Sequence, residues 1–503
     1  MSGEALTGLI MLVVMIGVIF IGFPISFTLL FLALTFGYFT FGHTVFDLAY
    51  FQTIGMMKEE LLAAVPLFVL MGFLTEQAGL MERLFTAFRL LLAPIRGSLY
   101  AVVILTAAVF AMATGIVGAA VTVLGIMASP IMIKTGYDAK LSAGAITAGG
   151  TLGILIPPSV MLIVMGPVLG VPVSDLYAAA FGPGIILAAL YLVYLLGRAF
   201  INPRLGPPVP REERVHSVPV MVREVLIGVV PLLGLISATL GSILAGLATP
   251  TEASAVGALG AAVLAAAYGR LNWPAVKQAL LSTTATSAMV LLLAVTSNIF
   301  GAVFARLGTA NWITEALLAL PFSPTIMLIL VVVLIFILGW PFEWPAIVLV
   351  FLPIFYPVVK ALNFDLVWFG ALVAVTLQTA FLSPPVAMSA YYLKQVVKEW
   401  SLGTIYKGMF EFMILQCIAI AILIAFPPVA TWLPEKLNAE FRAIKTEEVE
   451  DSIQLEDYQP EGGYGEALRE ALEKDRNDDK DRNKEEEGAA DSLQKDEATK
   501  AGK

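Results

Sequence analysis

Apolar residues in this chain run in long blocks instead of alternating with polar ones, and the blocks have the length that crosses a bilayer. Residues 5–22, 25–41, 61–80, 141–166, 176–197, 224–246, 252–268, 279–303, 365–392 and 408–430 are poor in charge and helical in length, most of them near the roughly 20 residues a span needs. Two further apolar stretches, 98–130 and 322–356, are interrupted by small or proline-rich cores and read as re-entrant hairpins. The pattern predicts an all-α polytopic membrane protein. Composition agrees, because 58% of the 503 residues are hydrophobic, against roughly 45–50% in soluble globular chains.

The polar punctuation inside the blocks occurs twice. The segment GGTLGILIPP at 149–158 is matched by TLQTAFLSPP at 376–385, an offset of 227 that also pairs Pro130 with Pro357 and Asp138 with Asp365. Pro24 pairs with Pro250 at an offset of 226. Two related halves are therefore expected: a first membrane repeat over 1–200 with hairpin 98–130 and broken helix 141–166, and a second over 224–433 with hairpin 322–356 and broken helix 365–392. A Pro-rich linker, 201–223, joins them.

Basic residues orient the halves. If each hairpin returns to the side it entered, fifteen lysines and arginines fall on one side and only Lys58, Arg306 and Lys360 on the other. The richer side is cytoplasmic, so the linker is cytoplasmic and the two hairpins enter from opposite faces. The repeats are then inverted in topology, the arrangement used for alternating access, and both termini lie outside. Residues 434–503 hold 22 of the 39 acids and 12 of the 30 bases. This acidic tail is too polar to bury a core and is expected to be solvated and disordered, with a helical piece near Glu466–Lys474.

Proline lacks an N–H, so Pro157-Pro158 and Pro384-Pro385 leave carbonyls of the preceding turn without helical donors. Inside a membrane those carbonyls need other partners. A cation in a small polar cavity is one; a hydroxyl or a neighbouring helix at a simple packing kink is the other. Enzyme chemistry finds no support. Cys417 is alone, His43 and His216 are far apart in sequence, and no phosphate-binding Gly-x-x-x-x-Gly-Lys-Ser/Thr loop occurs. Neither a transition-metal site nor a catalytic residue is expected, and no covalent cofactor. The N-terminus carries no recognisable cleavable signal.

Four segments together resemble the large membrane subunit of the tripartite ATP-independent periplasmic (TRAP) transporters: Val65–Gly72, Gly149–Ser159, Ala248–Ala253 and Leu382–Val386. The resemblance spans about residues 5–430, and the tail and Trp-rich second hairpin look more like the branch labelled mannitol/chloroaromatic-type. It implies an elevator-type symporter in the bacterial inner membrane, driven by sodium, that receives organic acids from a periplasmic solute-binding protein. It also implies a small four-helix membrane subunit, expected here as a separate chain. Nucleic acid is not an expected partner. A stand-alone ion-coupled carrier or a channel subunit is the rival reading, since broken helices also build pores.

For a hard cation, oxygen donors at the hairpin tips and helix breaks are the candidates: Thr114, Gly115, Gly118, Gly150, Thr151, Pro157, Pro341, Glu343, Gln378, Thr379, Ser383 and Pro384. The alternative for each hydroxyl is a bond to its own helix. Glu343 is the carboxylate within a hairpin tip, either an ion ligand or an interfacial acid beside Trp340 and Trp344. Glu252 follows Pro250 and reads as a helix cap. Substrate candidates are Thr296, Ser297, Asn298 and Arg306, with interfacial anchoring the alternative for the arginine.

Overall fold

The computed structural model describes residues 3–208, 218–384 and 387–453. It is all-helical over those residues. In chain order the helices are α1 Gly3–Phe20, α2 Ile25–Phe41, α3 Thr44–Met57, α4 Ala64–Gln77, α5 Leu80–Leu92, α6 Ser98–Thr114, α7 Val117–Lys134, α8 Ala139–Thr151, α9 Val160–Leu169 and α10 Val173–Ile201. The second half continues with α11 Pro219–Leu244, α12 Pro250–Ala267, α13 Trp273–Arg306, α14 Thr309–Leu318, α15 Pro324–Leu338 and α16 Trp344–Ala361. It ends with α17 Leu366–Leu382, α18 Met388–Val396, α19 Leu402–Ala425 and α20 Pro428–Ile453. Nine of the described helical segments are long and apolar enough to span a bilayer.

Both expected hairpins form, α6 with α7 and α15 with α16, and a broken helix follows each: α8 into α9 and α17 into α18. The repeated aspartates do the same job in each half. Asp138 accepts the Leu141 N–H at 2.8 Å to start α8, and Asp365 accepts the Trp368 N–H at 2.6 Å to start α17. Such caps satisfy one of the N-terminal donors the helix itself cannot reach. Glu252 acts as its sequence context suggested, closing a capping box with Thr249 at the start of α12.

The helices sort into two packed groups. In one, α4 packs on α12 and α13, with α2 and α3 also against α13. In the other, α8 lies against α7 and α19, while α10 and α17 pack on each other and on α19. The hairpins bring the groups together, α6 against α4 and α16 against α13.

Several elements depart from the sequence pattern. The connections around 42–60, 81–97 and 304–321 contain α3, α5 and α14, helices of 10 to 14 residues, too short for a span; α5 buries one stripe, while α3 and α14 bury only Val45 and Thr309. The tail expected to be unstructured from 434 is helical as far as Ile453, in keeping with its many strong helix formers, Glu, Lys, Ala and Leu. The helix expected near Glu466–Lys474, the centre of the linker and Pro385 lie outside the described residues. The chain divides into two units, Met1–Leu437 and Asn438–Lys503; the site described below lies wholly in the first.

Candidate functional site at the hairpin tips and helix breaks

The first tip is a two-residue turn. Gly115 ends α6 with φ +61°, a left-handed conformation that a side chain would strain, and Ile116 is extended before α7 begins at Val117. The tip rests on the first break. A Cβ built on Gly115 would lie 3.6 Å from the Pro158 carbonyl oxygen and 3.7 Å from that of Gly153.

The break follows from its prolines. After a single 3₁₀ turn over Leu152–Ile154, a helix would need N–H donors at 157 and 158 for the carbonyls of Gly153 and Ile154, and prolines occupy both positions. Ser159 Oγ donates to the Ile154 carbonyl at 2.5 Å, replacing one missing donor. The Gly153 carbonyl instead faces the tip glycine. Residues 152–160 are all buried. Carbonyls concentrated away from water at the mouth of two helices form an environment that favours a hard cation.

The second tip is wider. Gly339 N–H donates to Ile335 and Phe342 N–H to Leu338, after which Glu343 is extended and α16 starts at Trp344. A Cβ on Gly339 would lie 2.9 Å from that of Ala380, so this tip sits on α17 above the second break. At that break Ser383 N–H donates to Thr379 at 2.9 Å, Ala387 adopts φ +32°, and the buried Ser383 Oγ has no hydrogen-bond partner among the described residues.

A cavity of about 210 Å³ joins these parts. Gly115–Gly118 line it from the first tip, Ile154 and Val160 from the first break, Glu343 and Trp344 from the second tip, and Met388 and Tyr392 from beyond the second break. Thr286, Met289 and Val290 of α13 and Val69 of α4 close the opposite wall. A second cavity, about 330 Å³, is lined by Ser297 and Asn298 of α13, Val168 at the end of α9 and Leu349, Val350, Pro353 and Ile354 of α16 among largely apolar neighbours.

The sequence candidates divide accordingly. Gly115, Gly118 and Glu343 line the first cavity; Ser297 and Asn298 line the second, where Asn298 Nδ2 donates to Gln52 Oε1 at 2.9 Å. Thr114, Thr296 and Thr379 hydroxyls donate to carbonyls of their own helices, at 3.2, 3.0 and 2.6 Å. Arg306 lines neither cavity; its guanidinium stacks 4.9 Å from the centre of the Phe41 ring. Thr151 and Gln378 lie in the helix core, where Thr151 Oγ1 is 2.8 Å from the Ala148 carbonyl of its own helix and 3.1 Å from Gln378 Oε1. Gly150 packs against Val121 of α7. Pro341 and Pro384 are backbone elements of the second tip and break.

Sequence reasoning passed over Ser159, Thr286 and Tyr392. Ser159 carried a signal, a hydroxyl directly after Pro-Pro; the other two reach the cavity only through tertiary packing. Among the described residues no cluster of three His, Cys, Asp or Glu side chains could hold a metal ion.

Residues 12–429 match the family model for the tripartite ATP-independent periplasmic transporter, DctM component. The sialic acid TRAP transporter large permease protein SiaM of Vibrio cholerae is 31% identical over 429 residues, covering 84% of this chain and 96% of that one. The C4-dicarboxylate large permease DctM of Pseudomonas aeruginosa is 29% identical over 384 residues, with 75% and 87% covered. The ectoine large permease TeaC of Halomonas elongata is 26% identical over 429 residues, with 84% and 98% covered. In fold, the chain is similar to the YdaH transporter of Alcanivorax borkumensis, with a TM-score of 0.56 at 17% identity over 78% of this chain and 90% of that one.

Proposed function

The chain belongs to the DctM family, the large membrane subunits of tripartite ATP-independent periplasmic transporters, and on that footing we propose that it imports organic acids by sodium-coupled alternating access. It is a multi-pass protein of the bacterial inner membrane and a transporter subunit, not an enzyme. Membership of the family implies a small membrane subunit and a periplasmic binding protein as partners.

The observation that carries the proposal is the meeting of both hairpin tips and the ends of both broken helices around one cavity. In our reading, sodium occupies the carbonyl cluster where Gly115 faces Gly153 and Pro158, and a related half-site forms at Ser383 and the second tip. Ion binding there would draw each tip onto its break. The helices that carry the site, α6 to α10 and α15 to α19, would then move as one body past α4, α12 and α13, carrying solute in an elevator-type cycle between inverted repeats. Organic acids are the proposed solutes because relatives are named for sialic acid and C4-dicarboxylates.

The test is uptake of a panel of radiolabelled carboxylates into proteoliposomes holding this chain, its small subunit and the binding protein, with and without an inward sodium gradient. Uptake that needs sodium and binding protein supports the reading. Uptake indifferent to sodium removes the coupling, and uptake indifferent to the binding protein favours a stand-alone carrier or channel subunit.

A further inference from the structure

The tip cavity carries a negative side chain and no positive one. Glu343 lines it, and no lysine, arginine or histidine does so among the described residues. Lys394, two residues past Tyr392 in α18, is tied elsewhere, donating to the Lys398 and Trp400 carbonyls at 2.9 and 2.8 Å. Glu343 precedes the first residue of α16 but makes no side-chain cap hydrogen bond, and no ion pair among the described residues reaches it. Its carboxylate is left for whatever enters the cavity.

Aromatic rings stand beside that charge. Trp344, Phe381 and Tyr392 line the cavity, each half-buried. Tyr392 lies close enough to Glu343 for the carboxylate to act on its hydroxyl, and its ring crosses the first tip, 3.1 Å from where a Cβ on Gly118 would be. Protein cations stack on other rings, such as Tyr268, Tyr194 and Phe41, and on none of these three among the described residues. The thioethers of Met289 and Met388 add soft, apolar wall. A carboxylate backed by ring faces suits a large, weakly hydrated cation such as a substituted ammonium group, whereas sodium calls for a shell of oxygens that rings and thioethers do not supply. The acid end of a solute has a place as well. Helices α7, α9, α16 and α18 each begin at a lining residue, Val117, Val160, Trp344 and Met388, and helix N-termini favour a carboxylate. A solute with only negative charge would leave Glu343 uncompensated and be repelled by it.

We infer that the solute taken at this cavity is a zwitterion, carrying a substituted ammonium centre that Glu343 holds against Trp344 and Tyr392 in addition to its carboxylate. Glu343 is then a specificity-determining residue that selects such solutes over simple and doubly charged acids. The inference rests on the reading of the tip cavity as the place of the solute and narrows the class of organic acid that reading admits.

Two probes of one shape test it. Glycine betaine and tert-butylacetate share a carboxylate and a trimethyl head, and differ in the positive nitrogen that stands in place of a carbon. The readout is protection from maleimide of a cysteine placed in the cavity wall, Met388→Cys with Cys417→Ala, in the purified complex of this chain with its small subunit at saturating sodium. Betaine should slow the reaction about fivefold or more beyond tert-butylacetate at equal concentration. Glu343→Gln should cancel that difference, Tyr392→Leu should reduce it, and Tyr392→Phe, which keeps the ring, should preserve it. Equal protection by the two probes, better protection by tert-butylacetate, no protection by either, or a difference that survives Glu343→Gln overturns the inference. The comparison at intact Glu343 decides the matter even where a variant fails to fold. Uptake judges the underlying reading separately. Betaine protection together with sodium-indifferent uptake would sink sodium coupling and leave the cation centre standing, while uptake of acids that needs sodium and binding protein, with no betaine preference in protection, would sink the zwitterion alone.

Discussion

Replacing Gly72 with Ala should bias the transport cycle without touching the ion or solute. Gly72 lies in α4, and a Cβ there would sit 2.7 Å from the Thr114 carbonyl oxygen and 3.0 Å from the Thr114 Cα. Both are backbone atoms at the end of the first hairpin, so no side-chain rotation relieves the clash. Restoring ordinary contact near 3.5 Å requires the tip to retreat by roughly 0.8 Å. Overpacking of this kind costs about 1–3 kcal/mol. The cost falls on the conformation in which the first tip rests on α4 and vanishes in any state where the hairpin has moved away. A differential cost of that size shifts a two-state population by about 5–150-fold. Gly260→Ala is the control: its Cβ would meet only the Leu235 Cδ1, at 2.7 Å, the end of a side chain that can change rotamer. The assay is the rate of maleimide reaction of a cysteine placed at Met388, which lines the tip cavity, in a Cys417→Ala background. Gly72→Ala should change that rate at least fivefold and slow uptake in proteoliposomes, while Gly260→Ala leaves both near wild type. Equal labelling and equal uptake in Gly72→Ala would refute the view that the first hairpin moves relative to α4.

Three other substitutions probe separate parts of the argument. Pro157→Ala with Pro158→Ala restores the N–H donors for Gly153 and Ile154, so α8 should continue as helix and sodium-driven uptake should be lost; wild-type uptake would reduce the break to a packing kink. Glu343→Gln removes the carboxylate of the tip cavity, where no hydrogen bond or ion pair to a described residue holds it, so sodium half-saturation should rise several-fold while thermal stability holds; an unchanged sodium titration excludes Glu343 from coupling. Glu411→Ala deletes the hub that accepts from Tyr194 at 2.5 Å and pairs with Lys140 and, at 3.7 Å, with Arg198. With Lys140 and Arg198 each 40% exposed, the loss should be about 1 kcal/mol, read as a modest drop in melting midpoint that a second change at Lys140 does not deepen.

The parts of this fold that were legible in sequence are those set by backbone chemistry. A proline pair must break a helix wherever it falls, a glycine at a hairpin tip permits a left-handed turn, and an aspartate ahead of an apolar run caps it; hence α8 and α17 begin at Asp138 and Asp365 as the repeat implied. Side-chain chemistry was less legible because a buried hydroxyl can choose between its own helix and a ligand. Thr114 and Thr379 take their own helix, Ser159 takes the carbonyl that Pro158 cannot serve, and Ser383 takes neither. Short helices such as α5 were invisible to a search for spans because one apolar stripe suffices for them. The pair Thr151 and Gln378 shows where the two kinds of information meet. Each is chemically ambiguous in its own half, and either reads as an ion ligand beside a proline break. The 227-residue offset brings equal positions face to face, Thr151 Oγ1 lying 3.1 Å from Gln378 Oε1 and 2.8 Å from the Ala148 carbonyl of its own helix. Neither side chain lines the tip cavity, whereas the Gly153 and Pro158 carbonyls face Gly115, which does. The backbone of the tips and breaks is therefore the stronger candidate for coupling, and the core pair is better suited to holding the breaks in register.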